Sequence, residues 1–558
     1  MTKNYYSFDI FDTCLARLCG EPINLYDVLS QKIIETQRCQ WTEHMRQIFV
    51  TLRIEAGREE TNLECIYSNI AQRFPLPMSI GEMIQLELDL EREMLVPILP
   101  TLQKVNHHRK LGAILFISDM YLPSSFLQER LSALGFFKEG DKVFVSNEWD
   151  ATKYDGLLYR KIHEKENIPY KQWNHYGDNY RGDYTIPKKM GIHAHLIEFK
   201  YLPYEKQWKE IPTYQYPWPS LMAGVSRAIR LQSTAPAEQS NFVCNISAPL
   251  MTSFVLNVME DATQRRIQRL FFCARDMHSY FLIAKRFSHK FPSLEIYYTF
   301  ISSQVLYENT RNTFAYFKQI GLASKDVLSA IVDTNTKGGT LPAINRMMKS
   351  HGNNNVHGYY LTGISEACAS VEENSLPHYS IFFPYVKNGQ QKAAKLPGMR
   401  ILYELLFCLN YHKKTINYES HGNIIRPVFA KDEEDILSFK DTDIKSMKQS
   451  NDKLLLEYAT ALDKTLLPKF WKEILNQMAL PTLLDFISFP NKTYLPYLKK
   501  FQLSEQPFVD NLYRRTHPIW KRGSIIYSIP TIFAKFCTKI ARNEEHRRRV
   551  LKIIHFWK

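Results

Sequence analysis

The chain has 558 residues, enough for roughly two to four domains, and 45% of them are hydrophobic against 23% charged. This balance is ordinary for a folded globular protein and excludes extensive disorder. Its 71 basic residues exceed its 57 acidic residues by 14, which predicts an acidic partner such as a phosphorylated substrate or anionic lipid. Nucleic acid is not expected, because no RNP, zinc-finger or helix-turn-helix pattern occurs in the sequence.

Cysteine usage and apolar runs indicate a cytoplasmic protein. The nine cysteines are an odd number and include no CxxC pair, as expected of reduced thiols. The N-terminus enters a predicted strand with no apolar leader before it. No uninterrupted apolar run approaches the ~20 residues that a membrane-spanning helix needs.

Four groups of polar side chains in the first 200 residues stand at the end of a predicted strand or at the start of the next helix. Asp9 comes directly after the first strand and Ser118 after a second, while Lys153 precedes a helix and Asp178 and Asp183 follow a later strand. Because the carboxyl ends of parallel strands meet at one crevice, these groups are expected to converge. One carboxylate could then attack phosphorus, the others could hold Mg²⁺, and the lysine and serine could bind charged oxygens. The pattern therefore favours phosphoryl transfer.

Between the first and second of these groups the chain is predicted to be helical. Residues 24–37, 42–58 and 81–95 carry apolar side chains at i, i+3 and i+4. From residue 113 to 197 short strands then alternate with helices, which predicts a parallel sheet with right-handed connections. We therefore expect one α/β domain over residues 1–200.

The order of these motifs resembles the haloacid dehalogenase (HAD) superfamily of hydrolases and phosphotransferases. The resemblance implies that Asp9 is the nucleophile, that Ser118 and Lys153 are its second and third motifs, and that Asp178 and Asp183 form its acidic fourth motif. The ordinary alternative is a doubly wound domain whose strands happen to end in polar residues.

The same resemblance implies a Mg²⁺ cofactor and a cap. The metal would be held by the carboxylates of Asp9, Asp178 and Asp183 and by the backbone carbonyl of Phe11. The helical stretch at about 15–95 would form a cap domain that lies over the site and selects the substrate.

One position departs from the pattern of most phosphatases in that superfamily. They carry a second Asp two residues after the nucleophile as general acid and base, whereas this chain has Phe11 there and Asp12 one place later. Successive residues of a strand face opposite sides, so Asp12 could replace that catalytic group only if the backbone turns. Loss of acid–base help costs typically ~10²–10⁴-fold in rate. Metal binding is therefore a firmer expectation than turnover.

Two neighbours of these motifs are further candidates for substrate binding. Thr13 follows the nucleophile turn, and Asp119 follows Ser118. For Asp119 an alternative is open, because an acidic residue before a helix is also a common N-cap.

The rest of the chain is predicted to hold a second domain. Residues 201–240 are rich in proline and aromatic residues without clear periodicity and are interpreted as a linker. A second α/β domain is expected over 241–430, and a helical, lysine-rich region over 431–558. The expected strands of this second α/β domain are 270–273, 295–300, 330–332 and 358–362.

This second half carries its own resemblance. Residues 274–276 end a strand, Asp333 precedes the glycine-containing loop 336–340, and 402–407 close the region. Together with the first half, they look like a HAD-type protein family encoded in bacterial capsule and O-antigen clusters, over about 1–410. The resemblance implies a substrate class, a sugar- or polyol-phosphate or a glycan, and glycosyltransferase partners. It does not imply a particular reaction.

The loop after the third strand of the second domain is a candidate phosphate-binding site. Asp333, Gly338, Gly339 and Thr340 stand where backbone N–H groups before a helix could form an anion nest. The loop also resembles that of phosphoribosyltransferases, although Val332 occupies the place of that family's first acid. A tight turn that needs glycine for its backbone alone is the other interpretation.

The C-terminal segment is basic and amphipathic. Residues 535–558 hold eight Lys or Arg against two Glu, with apolar residues at helical spacing. This fits a helix lying in an anionic membrane interface, so the protein could be peripheral on the inner face of the cytoplasmic membrane. A terminal helix packed on the body of the protein is the alternative, and the membrane interpretation is favoured because lipid-linked glycan assembly takes place there.

Three functions remain open from the sequence. The first is a Mg²⁺-dependent phosphohydrolase or phosphotransferase acting through Asp9. The second is a catalytically weak or inactive HAD scaffold that recruits glycosyltransferases. The third is a glycosyl or glycosyl-phosphate transferase whose site lies in the second domain.

Overall fold

The computed structural model describes most of the first 363 residues and separate segments beyond them. The described residues are 4–37, 41–59, 62–213, 216–274, 276–308, 310–336, 339–363, 379–383, 414–430, 442–465, 471–488, 491–498, 502–503 and 506–507. The chain divides into two units, of which the first comprises 1–236 with 460–467 and the second 237–459 with 468–558.

A parallel five-stranded sheet forms the centre of the first unit. The strands of this unit are β1 (Asn4–Phe8), β2 (Leu15–Arg17), β3 (Leu95–Pro97), β4 (Gly112–Ser118), β5 (Lys142–Val145), β6 (Trp173–Gly177) and β7 (His193–Leu196). The sheet order is β5-β4-β1-β6-β7, and all its pairs are parallel. Tyr6, Ser7 and Phe8 are all buried, as expected of a central parallel strand covered on both faces.

The register of the sheet brings the strand ends together. Phe8, the last residue of β1, pairs with Phe116 of β4 on one side and with Tyr176 of β6 on the other. Ser118 at the end of β4 pairs with Val145 of β5. The residues that follow β1, β4 and β6 therefore leave the sheet at one edge.

A helical insertion separates β2 from β3, and the two short strands close it as an antiparallel pair. The helices of the first unit are α1 (Pro22–Gln37), α2 (Glu43–Glu59), α3 (Leu63–Arg73), α4 (Ile80–Met94), α5 (Leu99–His108), α6 (Ser124–Ala133), α7 (Ser146–Trp149), α8 (Leu157–Glu166), α9 (Ile186–Lys189), α10 (Pro203–Lys209) and α11 (Trp218–Gln232). The first four make up the insertion, and Ser79 begins α4 with a capping box to Glu82. The expected α/β fold with a helical cap is confirmed.

Buried ion pairs hold α4 within the insertion. Glu87 accepts hydrogen bonds from Arg53 at 2.6 and 2.9 Å and from the Tyr67 hydroxyl at 2.5 Å, and all three side chains are fully buried. One turn later, Glu91 pairs with Arg17 of β2 at 2.8 Å. The helical insertion is thereby tied to β2, the strand that follows the turn of residues 9–15.

The stretch 201–240 differs from the linker expected there. It holds α10 and α11, and the first unit continues through residue 236. Pro203 and Pro219 stand in the first turns of these helices, where the missing N–H has no helical partner to lose. Proline content alone therefore misidentified two helix starts as a linker.

The second unit contains another parallel sheet. Its strands are β8 (Arg269–Cys273), β9 (Glu295–Thr299), β10 (Ser329–Thr336), β11 (His357–Gly363), β12 (Tyr379–Phe383), β13 (Thr415–His421), β14 (Ile424–Phe429), β15 (Gln502–Leu503) and β16 (Gln506–Pro507). The parallel order is β12-β11-β10-β8-β9, whereas β13 with β14 and β15 with β16 form antiparallel pairs. The second α/β domain expected from the sequence is present.

The remaining helices lie before, between and after these strands in the sequence, and all of their residues except 460–465 belong to the second unit. They are α12 (Ala237–Phe242), α13 (Ala248–Gln264), α14 (His278–Phe287), α15 (Ser303–Glu308), α16 (Thr310–Gln319), α17 (Thr340–Ser350), α18 (Thr442–Thr465), α19 (Trp471–Ile474), α20 (Leu480–Ser488) and α21 (Leu495–Leu498). By length and composition the continuous helical stretch Ala237–Gln264 could cross a bilayer, but its apolar window is entirely buried in the structure, as in the core helix of a soluble protein. The segments 402–407 and 535–558, singled out from the sequence, lie outside the described residues.

Candidate active site

A buried lysine lies between two carboxylates at the end of β1. The Lys153 ammonium contacts Asp9 Oδ1 at 2.5 Å and Asp183 Oδ1 at 2.6 Å. All three residues are less than 7% exposed. Burial opposes the charge on Lys153, but Asp9, Asp183 and Asp119 outweigh it and raise the pKa of the ammonium. Lys153 is therefore a fixed positive charge beside the nucleophile candidate.

Three carboxylates form a group that can hold a metal ion. Asp9, Asp178 and Asp183 each offer one oxygen, and these oxygens lie within 4.8 Å of one another. Carboxylate oxygens at such separation suit a hard divalent cation such as Mg²⁺. The group joins the ends of β1 and β6, as the strand pattern predicted.

The electrostatics of the three carboxylates differ. Burial raises the pKa of Asp9 well above its usual range, and Lys153 offsets this only in part. Burial, with the charges of Asp12 and Asp183, raises the pKa of Asp178 to about 6. For Asp183 the burial penalty is outweighed by Lys153 and His175, which lower its pKa. A bound cation would favour the charged form of the first two, so this donor set fits a metal.

The turn of residues 9–15, which follows β1 and carries the candidate nucleophile Asp9 (the nucleophile turn), bends at Asp12. This residue has φ = 56°, in the left-handed region, and its N–H donates to the carbonyl of Leu15 at 2.8 Å. The N–H groups of Cys14 and Leu15 both donate to the carbonyl of Ile10, at 2.9 and 2.8 Å. The backbone turn on which a role for Asp12 depended is thus present.

The Asp12 side chain has a partner that the sequence did not indicate. Arg227 Nη1 donates to Asp12 Oδ1 at 2.6 Å, and this arginine lies 215 residues away on α11. The neighbouring Phe11 packs against another arginine: the guanidinium carbon of Arg17 lies 4.2 Å from the Phe11 ring centroid. The Thr13 hydroxyl donates to Asp178 Oδ1 at 3.4 Å, so Thr13 contacts the metal-binding group.

Asp119 fastens the loop that carries Lys153. Its carboxylate accepts from the Lys153 N–H at 2.8 and 2.9 Å and from the Tyr154 N–H at 3.3 Å. It does not cap α6, because the N-cap position there is Pro123. Ser118, one residue earlier, is buried at the end of β4. Asp119 therefore positions Lys153 through the backbone, a role that neither sequence interpretation included.

His175 was also missed. Its Nε2 lies 3.1 Å from Asp183 Oδ1 and its Nδ1 2.7 Å from the Ser7 hydroxyl, which also accepts from Trp173 Nε1 at 2.7 Å. Burial lowers the pKa of His175, so the neutral ring donates to Asp183 and accepts from Ser7. This chain of hydrogen bonds holds Asp183 in one orientation. The sequence offered only one signal, a polar residue inside a predicted strand, and the alternation of strand faces would place such a residue on the solvent side.

A glycine makes room for Asp183. A Cβ on Gly177 would lie 2.5 Å from the Asp183 Cβ and carboxylate, so no larger residue fits without displacing the acid. Asp183 Oδ2 accepts from the Asn179 N–H at 3.0 Å, and the Asn179 side chain in turn accepts from the N–H groups of Arg181 and Gly182. The π-helical turn Tyr180–Thr185 is thus fixed with its acid pointing inward.

The candidates of the second domain lie at a different sheet. Asp333 is in β10, Gly339 is the residue before α17, and Thr340 is the first residue of that helix. The charges of Asp333 and Asp276, after burial, raise the pKa of the Cys273 thiol, which places both acids near the end of β8. Gly338 lies outside the described residues.

Comparison with known proteins gives weak likenesses. No protein-family model and no curated protein matches the chain. Among solved structures, magnesium-bound YfnB from Bacillus subtilis, described as a HAD-hydrolase, is 15% identical with a TM-score of 0.27, over 34% of this chain and 87% of that one. The HAD family enzyme BT-2542 from Bacteroides thetaiotaomicron, in complex with magnesium and inorganic phosphate, is 11% identical with a TM-score of 0.25, over 35% and 95%.

Proposed function

We propose that the first unit is a Mg²⁺-dependent HAD-type phosphohydrolase or phosphotransferase. The observation that carries this proposal is the contact of Lys153 with both Asp9 and Asp183, beside the three carboxylates that can hold a cation. A buried lysine and three acids at one sheet edge have little structural purpose, because burying an unneeded charge is costly.

In the proposed reaction Asp9 is the nucleophile. One of its oxygens attacks phosphorus in line with the bond to the leaving group, that bond breaks, and an aspartyl-phosphate forms, which water then hydrolyses. Lys153 neutralises the charge of the transferring group, and Ser118 binds one of its oxygens. Asp119 and His175 keep Lys153 and Asp183 in place for this step.

The carboxylates and one backbone group would hold the metal. Asp9, Asp178 and the carbonyl of Phe11 are the proposed ligands, with Asp183 orienting or completing the set. Bound Mg²⁺ would supply positive charge that stabilises the phosphoryl oxygens and the ionised form of Asp9.

The substrate class follows from the resemblance to proteins of surface-polysaccharide clusters. We propose a sugar- or polyol-phosphate, with glycosyltransferases as partners of the pathway. The excess of basic residues agrees with an anionic substrate. The role of 535–558 at an anionic membrane stays a prediction, since that segment lies outside the described residues.

One observation favours a second candidate, a scaffold with little turnover. Phe11 stands where most phosphatases of the superfamily carry their acid, and its ring packs against Arg17, which is paired with Glu91. A site that binds Mg²⁺ and phosphate but protonates no leaving group would be slow.

A phosphatase assay separates the two candidates. Wild type, Asp9→Asn and the control Asp89→Asn are compared on sugar phosphates and an aryl phosphate with Mg²⁺. Asp89 is a half-exposed carboxylate of the cap that contacts Arg92 and Gln85 and lies outside the site. Loss of hydrolysis in Asp9→Asn alone supports the enzyme. If Mg²⁺ with beryllofluoride raises the melting temperature but no substrate is turned over, the scaffold is supported instead.

A further inference from the structure

One face of α11 docks on the segment after the nucleophile turn. Ser220, Gly224 and Arg227 follow one another at spacings of four and three, which places them on one side of the helix. The Ser220 hydroxyl accepts from Asn24 Nδ2 at 2.9 Å. At Gly224 a Cβ would lie 2.5 Å from the Gly20 Cα, so the two backbones touch and only glycine fits.

This docking delivers Arg227 to the site. Its side chain is 6% exposed, its Nε donates to the carbonyl of Phe199 at 2.9 Å and its Nη1 donates to Asp12 at 2.6 Å. The Tyr201 ring centroid lies 5.1 Å from the guanidinium carbon. Arg227 is therefore fixed by contacts with Phe199, Tyr201 and Asp12, whereas the Asp12 side chain with which it pairs is 39% exposed.

Asp12, the residue with which Arg227 pairs, is where the nucleophile turn bends. Asp12 has a left-handed backbone conformation, and its N–H closes the turn of residues 9–15 onto the carbonyl of Leu15. A non-glycine residue there costs free energy unless its surroundings hold it. Asp12 is also a fourth acid close to Asp178. Without Arg227 the Asp12 carboxylate would lose its buried partner, and the turn that carries Asp9 and the Phe11 carbonyl would lose its anchor to α11.

We propose that Arg227 is a positioning residue of the phosphoryl-transfer site: through its ion pair with Asp12 it fixes the turn of residues 9–15, and so the positions of Asp9 and the Phe11 carbonyl. This inference rests on the proposed function of the first unit. It makes α11, outside the four motifs and more than 30 residues past the last of them, a necessary part of that site.

The test compares Arg227→Met with a matched variant one turn along the same helix. Arg230 is also a nearly buried arginine in an ion pair, with Glu205 at 2.7 Å, but it does not contact the nucleophile turn. Arg230→Met therefore controls for damage to α11. Arg227→Lys restores the charge, and Asp12→Asn removes the partner.

Two measurements are made on the full-length chain. The first is the concentration of Mg²⁺ needed for half of the thermal stabilisation by Mg²⁺ and beryllofluoride. We expect it to rise roughly 10- to 100-fold in Arg227→Met, as for other groups that orient metal ligands, and less in Arg227→Lys. The second is hydrogen exchange of the amides at 12–15, which should be faster in Arg227→Met and unchanged in Arg230→Met.

The double variant decides whether Arg227 acts through Asp12. If it does, Asp12→Asn with Arg227→Met should be no worse than Asp12→Asn alone. Equal effects of the Arg227 and Arg230 changes, or fully additive effects with Asp12→Asn, would overturn the inference. If wild type itself binds no Mg²⁺ and Asp9→Asn changes nothing, the proposed function fails, and the exchange comparison alone decides whether Arg227 holds the turn.

Discussion

Replacement of Lys153 by Met should destabilise the first unit far more than replacement of Asp9 by Asn. Lys153 is the cation facing Asp9 and Asp183, and all three are less than 7% exposed, so solvent screens the pairs little. Removing one partner of a buried pair costs about 3–5 kcal/mol, because the remaining charge is left uncompensated. Asp9→Asn instead removes one of several crowded acids and leaves Lys153 paired with Asp183.

The predicted difference is large on a thermal scale. For a domain of this size, 1 kcal/mol corresponds to about 2–4 °C. Lys153→Met should therefore lower the melting temperature by about 6–20 °C, whereas Asp9→Asn should leave it nearly unchanged. Saturating Mg²⁺ should recover part of the loss in Lys153→Met, because the metal supplies positive charge to the same carboxylates.

The assay is thermal unfolding of both variants with EDTA and with Mg²⁺. Lys104→Met is the control, since Lys104 is exposed and lies over the Tyr176 ring at 5.3 Å, and surface changes of this kind stay within about 0.5 kcal/mol. If Lys153→Met melts with the wild type, or if Asp9→Asn is equally unstable, the electrostatic account of the site is refuted.

Three further predictions concern the metal site and its neighbours. Phe11→Asp should raise hydrolysis of substrates with poor leaving groups by up to ~10²-fold if proton donation limits the rate; a folded variant with an unchanged rate would show that it does not. Because the pKa of Asp178 is raised to about 6, Mg²⁺ stabilisation should be present above that pH and be lost as the pH falls through it. Without metal, the free energy of unfolding should instead fall as the pH rises from ~4 to ~6, because the folded state binds the proton more tightly than the unfolded chain. Melting temperatures measured across this pH range with and without Mg²⁺ test both signs, and Mg²⁺ stabilisation that does not change through pH 6 would contradict the first. Gly177→Ala should displace Asp183 and cost about 1–3 kcal/mol, measured by urea unfolding; an unchanged Mg²⁺ response would show that the acid is not held there.

Some of this protein could be predicted from local patterns alone. Buried apolar runs followed by Asp9, Ser118 and Asp178 predict parallel strands with polar ends, because burial on both faces and the strand-to-helix alternation are encoded within a few residues. The helical cap was predictable for the same reason, since its apolar residues recur at helical spacing.

The groups that hold the site in place were not predictable in this way. Arg227 reaches Asp12 across 215 residues, and His175 reaches Asp183 from inside a strand. Nothing local distinguishes either residue from an ordinary arginine or histidine. Their roles exist only because the packed chain removes water and leaves each buried polar group to find a partner.

The boundary between the units illustrates the same division. Proline and aromatic residues in 201–240 indicated a linker, although proline is equally suited to the first turn of a helix. The close backbone contact of Gly224 with Gly20 shows that this stretch packs as a helix of the first unit and is not a linker. That contact depends on how α11 packs against the segment that follows the nucleophile turn. The amino-acid sequence thus indicated which residues are candidates for the proposed chemistry, whereas tertiary packing decided which side chains position them, because close approach between distant segments is not encoded in any local pattern.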